Sequence, residues 1–182
     1  DRISPFYDED FDSWVAPFVM GPINTRVVRR SAELLGDMYG SNFRYDEGIL
    51  TRGGPTGFLG ATGIGLATGL AMATLAAPPT RKIIKRLIPK PGEGPSEQDQ
   101  EQGFFEIELK AKHPDDEGLD LRAIVKGDRD PGYGSTAKMI VESALALAHD
   151  DIKKGGGFWT PASVIGDQLL QRLPLHAGVT FE

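Results

Sequence analysis

The sequence predicts an α+β fold, in which an antiparallel or mixed sheet carries flanking helices. Two short segments alternate apolar and charged residues, which predicts a pair of strands. Several longer segments repeat apolar residues every three or four positions, which predicts helices. The chain has 182 residues, of which 40% are hydrophobic and 25% charged, a composition typical of a soluble globular domain.

Residues 1–88 are predicted to form a helical segment that begins with an extended stretch of aromatic residues, prolines and acids. Asn24 is a candidate N-cap, and Ala32 and Leu35 continue an apolar stripe that predicts a helix ending near Gly40. Three arginines fall on its early turns, where they either grip a phosphate or carboxylate or stay solvated: Arg26, Arg29 and Arg30.

An uncharged run at residues 53–80 precedes a basic amphipathic segment at residues 81–88. The run is long enough to span a membrane, but Gly, Ala and Thr dominate it, and Gly65 and Gly69 form a GxxxG pair suited to close helix packing. The basic segment is typical of helices that lie on anionic membranes. Its candidate membrane-surface residues are Arg81, Lys82, Lys85 and Arg86. Burial of the run against a missing domain or a second copy is the alternative.

Residues 89–103 are rich in proline, glycine, acids and amides, which predicts a mobile loop. Residues 104–182 are predicted to form a hairpin and two helices within the same α+β domain. The first strand places its apolar residues from Phe105 to Leu109 on one face, and the second alternates again from Leu119 to Val125. A turn of sequence HPDDEG joins them, so the strands are predicted to be antiparallel.

Two helices are expected after the hairpin. Ser135 or Thr136 is a candidate N-cap of the first helix, and Lys153-Lys154-Gly155 is its expected end. Thr160 and Pro161 are a cap and a first helical residue for the second helix. The final residues, GVTFE, are expected to close the fold as a short strand.

The segment Gly132–Ala137 spells G-x-G-x-x-A, one form of the dinucleotide-binding fingerprint. A predicted strand leads in and a helix leads out, but that strand belongs to an antiparallel hairpin. No second hydrophobic strand ending in an acid follows about 20 positions later. The tripeptide Asp130-Pro131-Gly132, which ends at the first glycine of the motif, itself favours a turn. The context therefore favours a strand-to-helix turn over a cofactor loop.

Other local chemistries are excluded on composition or spacing. The chain has no cysteine, and its three histidines lie far apart, so no metal site is predicted. It contains neither a hydrolase nucleophile elbow nor a P-loop. A net charge of -6 argues against nucleic acid as a partner. The sequence begins at Asp1, and no targeting segment is visible, so a fragment of a longer protein is expected.

Four blocks together resemble one protein family: PFVMGPINTRVVRRSAELL, PKPGEGPSEQDQEQGFFEIEL, GDRDPGYGSTAKMIVESALALA and GGGFWTPASVIGDQLLQRL. They resemble the C-terminal half of the saccharopine dehydrogenase-like oxidoreductases, a family that includes the trans-acting enoyl reductases of polyketide-lipid assembly. The resemblance spans nearly the whole chain, and DPGYGSTAKM and GGGFWTPAS are its most distinctive parts.

The resemblance implies the second, non-Rossmann domain of a two-domain, NAD(P)-dependent oxidoreductase. That domain contributes to the substrate side of the cleft and to dimerisation, and the cofactor is bound by an N-terminal Rossmann domain that this chain lacks. The fragment alone is therefore not expected to be catalytic. A homo-oligomer is the expected assembly, and an enoyl reductase acting on lipid-linked substrates is the expected parent. The substrate-cleft candidates are Asp130, Tyr133, Gly134, Ser135 and Thr136.

The opposite interpretation assigns these five residues only to a connecting turn. In that case the working part is residues 53–88, and the chain is a non-enzymatic membrane-tethering or protein-interaction domain. Both interpretations predict a cytoplasmic protein, associated with a membrane surface if the uncharged run and its basic flank contact lipid.

Overall fold

A computed structural model describes residues 4–40, 42–76 and 92–182, and the chain divides into two units, Asp1–Pro91 and Gly92–Glu182. Each unit contains one three-stranded antiparallel sheet. The predicted α+β class is confirmed, since helices pack beside both sheets.

Three short strands form the sheet of the first unit: β1 (Phe6–Asp8), β2 (Ser13–Pro17) and β3 (Gly48–Leu50). They pair antiparallel in the order β1-β2-β3, and Val15 is opposite both Phe6 and Leu50. An extended stretch was predicted here from the sequence, but β3 was not. Strands of three residues are too short to show a period-two pattern.

The first helix, α1 (Gly21–Leu35), begins three residues before the predicted cap at Asn24. The backbone N–H groups of Ile23 and Asn24 both donate to the Met20 carbonyl, and Pro22 occupies the first turn, where its fixed φ suits a helix start. A 3₁₀ turn, Gly36–Tyr39, continues the helix to the predicted end near residue 40.

A long helix, α2 (Gly54–Ala76), packs against β2 through its N-terminal part. The Phe58 ring meets the Trp14 ring edge to face, with centroids 4.8 Å apart. The Thr51 hydroxyl lies within hydrogen-bonding distance of the carbonyls of Trp14 (2.8 Å) and Gly57 (3.0 Å). A Cβ on Gly57 would overlap the Arg52 carbonyl oxygen, so only glycine allows this close approach.

The sheet of the second unit is the predicted hairpin with one added strand. β4 (Phe105–Ala111) pairs antiparallel with β5 (Leu121–Gly127), and the C-terminal strand β6 (Val179–Phe181) pairs with β5. Both the hairpin and the short last strand are confirmed. A short helix, α3 (Glu97–Gln102), lies within the predicted loop and is capped by Ser96, whose hydroxyl accepts from the Asp99 N–H at 3.1 Å.

Two further helices follow β5: α4 (Gly134–His149) and α5 (Pro161–Arg172), which continues as a π-helical turn, Leu173–Ala177. The start of α5 is as predicted, with a capping box between Thr160 and Ser163. The end of α4 is wrong by several residues: it stops at His149 rather than near Lys153. Asp150 is extended there, and its carboxylate pairs with Arg172 at 2.6 Å.

The core of the second unit lies between the sheet and the two long helices. Its buried residues are Leu173, Ala177 and Val179, with Phe105, Val125, Met139 and Leu169 packed against them. The other face of the sheet is polar and carries ion pairs between Arg122 and Glu108 and between Lys126 and Glu182. Only the end of the sheet near Phe105 and Val125 packs on this core, and Ile107 and Leu109 further along β4 are exposed.

Candidate functional site

The turn that leads into α4 is organised by the carboxylate of Asp130. One oxygen, Oδ1, accepts from the backbone N–H groups of Gly132 at 3.0 Å and Tyr133 at 3.1 Å. The other, Oδ2, accepts from the Gly134 N–H at 2.6 Å. The Gly134 hydrogen bond is the main cause of a lowered pKa of the Asp130 carboxyl. The helix N-terminus therefore already holds an anion, supplied by the protein itself.

Three other predicted site residues are also engaged inside the turn. Ser135 is completely buried, and its hydroxyl donates to the Arg129 carbonyl at 3.0 Å. The Thr136 hydroxyl donates to the Pro131 carbonyl at 2.6 Å. Gly134 is buried where a Cβ would lie 2.9 Å from the Arg129 Cβ. The predicted N-cap at Ser135 or Thr136 is wrong, because α4 begins at Gly134 with Tyr133 in the cap position.

Tyr133 differs from its neighbours because its side chain is 55% exposed. Its ring lies beside Gly94, where a Cβ would be 3.4 Å from Cε1 of the ring. Its hydroxyl forms no hydrogen bond with another residue that the structure describes. Among the five predicted site residues, it is therefore the one whose side chain keeps a free donor at the surface.

An ion pair that was not predicted from the sequence lies one turn further along α4. Lys138 Nζ donates to both carboxylate oxygens of Asp128, at 2.9 and 3.1 Å. The Asp128 carboxylate packs against Gly178, whose φ of 67° also requires glycine, so the pair is fixed between α4 and the start of β6. The two residues are ten positions apart across a turn, a spacing that carries no local signal.

The turn does not fit the pyrophosphate of a dinucleotide. β5 runs antiparallel to both of its neighbours, and α4 leads to another helix rather than to a parallel strand. The amides that would face a phosphate already bind Asp130. A nicotinamide cofactor therefore has no binding loop at this motif.

Two shallow clefts lie elsewhere. In the second unit, a cleft of about 500 Å³ is bordered by Asp150, Arg172 and His176. Arg172 donates to both Asp150 oxygens and to Glu142, and these contacts hold α4 and α5 together. Hydrogen bonding from Arg172 lowers the pKa of the Asp150 carboxyl. The described residues contain no group of three or more acids or histidines that could hold a metal ion.

The cleft in the first unit, of about 540 Å³, brings together Arg29, Phe43, Arg44, Tyr45 and Asp46. It contains one of the three arginines singled out in the sequence. Burial and the hydrogen bond from its hydroxyl to Glu47 raise the pKa of Tyr45. Arg30, by contrast, forms an exposed ion pair with Glu33 at 2.9 Å, so the three arginines do not converge on one ligand.

Helix α2 is long and apolar enough to cross a membrane, judged by its length and composition. Most of its large side chains are exposed, including Leu66 and Leu70. The predicted membrane-surface residues Arg81, Lys82, Lys85 and Arg86 lie outside the described residues.

Several curated mycobacterial proteins are similar to this chain. The chain is 40% identical over 174 residues to a Mycobacterium tuberculosis protein named "putative trans-acting enoyl reductase", a match that covers 93% of this chain and 41% of that protein. It is 39% identical over 172 residues to the trans-acting enoyl reductase of Mycobacterium ulcerans and 38% identical over 180 residues to that of Mycobacterium bovis. The last two matches cover 88% and 92% of this chain.

The chain spans about two fifths of the length of these relatives. No model of a known protein family matches it. No solved structure matches it either. The chain is thus similar to one part of proteins called trans-acting enoyl reductases, and the broader saccharopine dehydrogenase-like relationship stays a prediction.

Proposed function

We propose that this chain is the C-terminal substrate and dimerisation part of an NAD(P)-dependent enoyl reductase of the saccharopine dehydrogenase-like type, acting on lipid-linked substrates. The enoyl reductase part of this proposal is supported by 40% identity across 93% of the chain to a protein named "putative trans-acting enoyl reductase". Because the glycine turn does not fit a dinucleotide, we assign cofactor binding to an N-terminal Rossmann domain outside this chain.

An enoyl reductase adds a hydride and a proton across a carbon–carbon double bond next to a carbonyl group. This chain's contribution would be to bind and orient the acyl substrate beside the cofactor domain. Among the predicted site residues, we assign contact with substrate to Tyr133, because its hydroxyl is free to donate. Asp130, Gly134, Ser135 and Thr136 would hold the turn that presents this ring.

The site assignment is tested with Tyr133→Phe in the full-length protein that contains this chain. Loss of one hydroxyl that donates a hydrogen bond to the substrate should lower kcat/KM for reduction of an enoyl thioester by about 10- to 100-fold. Tyr39→Phe removes a hydroxyl from a ring that is 45% exposed in the first unit and serves as the matched control. Equal turnover by the Tyr133 variant, the control and the parent enzyme would remove Tyr133 from the site.

A second copy of the chain is proposed as a further partner. Ile140, Val141 and Leu147 form an exposed apolar stripe on the side of α4 opposite its buried residues. Stripes of this kind commonly mark interfaces. Light scattering after size exclusion should give a dimer for the full-length protein, and Ile140→Asp with Val141→Asp should give a monomer. A monomeric parent protein would contradict this proposal.

Membrane association is a second candidate function, favoured by the exposure of α2. We propose that Arg81, Lys82, Lys85 and Arg86 attract anionic headgroups and hold a cytoplasmic enzyme at a membrane surface. Replacing all four with glutamine should weaken binding to anionic vesicles far more than binding to neutral ones. Equal binding of both vesicle types by the parent protein would exclude an electrostatic role.

A further inference from the structure

Strand β4 forms an open edge of the sheet in the second unit. The strand order is β4-β5-β6, so β4 has β5 on one side and no strand among the described residues on the other. It contains no proline and pairs with β5 in an unbroken register along its whole length. Such a long, regular edge offers a row of backbone N–H and C=O groups to another strand.

The pairing within the sheet determines which residues of β4 offer these groups. Ile124 of β5 exchanges both backbone hydrogen bonds with Glu182, at 2.8 and 2.9 Å, so its N–H and C=O point toward β6. This direction alternates along an antiparallel strand, so the next residue, Val125, points toward β4 and its opposite residue, Ile107, points back toward β5. The residues whose N–H and C=O face the open edge are therefore Glu106, Glu108 and Lys110.

The apolar face of β4 packs on the core at one end only. Phe105 contacts the core, whereas Ile107 and Leu109, on the same face, are 52% and 40% exposed. Leu121 of β5 lies opposite Ala111 and is 69% exposed, so it extends this exposed apolar surface. A strand added to the open edge, with an apolar face of its own, would meet both the backbone groups and these side chains.

The charges on β4 indicate that the strand that fits this edge is a second β4. When two copies run antiparallel about a two-fold axis at Leu109, Glu108 of each copy lies opposite Lys110 of the other. Those two residues are also the ones whose backbone groups face the edge. An axis at Glu108 would instead oppose two Glu108 carboxylates, and an axis at Ile107 would oppose Glu106 and Glu108. Of these three registers, the one about Leu109 avoids like charges.

We propose that two copies of this chain join along β4, about a two-fold axis at Leu109, and form one continuous sheet. This inference rests on the dimer proposed above and adds a surface and a register to it. Such an axis keeps the two apolar faces on the same side, where Met139 of α4 packs, so the α4 helices of both copies lie on one side of the joined sheet. A strand of the full-length protein outside this chain is the competing occupant.

The register is tested by cysteine cross-linking in the full-length protein with any cysteines outside this chain replaced by serine, since the chain itself has none. Leu109→Cys should form a disulfide-linked dimer on mild oxidation, because facing residues of a non-hydrogen-bonded pair have Cα atoms about 4.5 Å apart. Ile107→Cys is the matched control, since its exposed side chain lies on the same face but the two copies would be about 14 Å apart. Absence of cross-linking by Leu109→Cys, or equal cross-linking of both variants, would overturn the inference.

Charge reversal provides a second test, measured by sedimentation of variants whose folding is verified by circular dichroism. Glu108→Lys opposes lysines on both sides of the axis and should raise the dimer dissociation constant by about 10-fold or more. Adding Lys110→Glu restores opposite charges across the axis and should restore the dimer. Glu108 also pairs with Arg122 within the chain, a contact that the double variant does not restore, so recovery reports the contact between copies. A dimer that Glu108→Lys leaves unchanged, or that the double variant does not recover, would overturn the inference.

The proposed dimer and its β4 interface fail in distinguishable ways. A monomeric parent protein would overturn both and would assign the open edge to a strand outside this chain. A dimer that is abolished by Ile140→Asp with Val141→Asp, but is neither cross-linked by Leu109→Cys nor weakened by Glu108→Lys, would retain the dimer and overturn the β4 interface. Cross-linking and sedimentation do not depend on enzyme activity, so failure of the reductase proposal would appear separately.

Discussion

The turn before α4 and residues 66–76 of α2 differ in whether their side chains contact the rest of the protein. In the turn, the polar groups of Asp130, Ser135 and Thr136 are bound to backbone atoms nearby. In α2, Leu66 and Leu70 have no protein covering them in the first unit. The glycines of the turn made it a candidate site in the sequence, yet most of its polar side chains bind backbone atoms of the turn itself. Groups without a partner are better candidates for function than groups that are already satisfied.

The largest expected effect is on the free energy of unfolding, when a buried aliphatic side chain and an exposed one on α2 are each truncated to alanine. Ile165 is among the largest completely buried side chains, so Ile165→Ala should lower the free energy of unfolding by about 2–5 kcal/mol. Leu66→Ala removes a side chain that is already in water and should change it by less than about 0.5 kcal/mol. Urea unfolding of the full-length protein without lipid measures both. Similar losses for the two variants would mean that protein covers Leu66.

Alanine substitutions at two glycines of α2 distinguish a position where the helix packs closely from a position that is exposed. Gly57→Ala should destabilise the first unit by about 1–3 kcal/mol, because its Cβ would overlap the Arg52 carbonyl and push the helix from β2. Gly63 has open space around its Cα, so Gly63→Ala should stabilise the helix by about 0.5–1 kcal/mol. Thermal unfolding measures the two changes. The same sign for both would show that α2 is not docked as described.

A smaller, pH-dependent effect is expected from Asp130. Its folded-state pKa is lowered, so its contribution to stability is complete above the unfolded pKa of about 3.9 and is lost as pH falls through the lower folded value. Asp130→Asn should therefore have a lower Tm than the parent protein at neutral pH, and the difference should shrink in acid.

Glu33→Gln is the control for this pH dependence, since it alters a carboxylate that is 72% exposed and paired with Arg30 on α1. Its Tm should follow the parent protein closely across the same pH range. A difference between Asp130→Asn and the parent that stayed constant from neutral to acidic pH would contradict the role assigned to the carboxylate.

The sequence predicted elements whose patterns are long and local. The hairpin has seven residues in each strand, enough for period-two alternation, and Thr160-Pro161 is a strong helix start. The first sheet was not predicted because β1 and β3 have only three residues each. Helix α3 was not predicted because it has no apolar stripe.

The candidate site was predictable in position but not in its internal bonding. Asp130-Pro131-Gly132 was recognised as turn chemistry, and an Asp just before a helix is a known signal for side-chain capping of backbone amides. The sequence could not show that both of its oxygens are used, or that Ser135 is buried while Tyr133 is exposed. The Lys138–Asp128 pair depends on how α4 returns past β6, which no local spacing encodes.

The central claim is that this chain completes an enoyl reductase. The most direct measurement incubates the purified full-length protein with an enoyl thioester and NADPH or NADH and follows the product by mass spectrometry. We expect the saturated thioester, formed together with oxidised cofactor, and a lower rate for Tyr133→Phe. Recovery of the unsaturated thioester unchanged with both cofactors, by a protein shown to be folded, would contradict the claim.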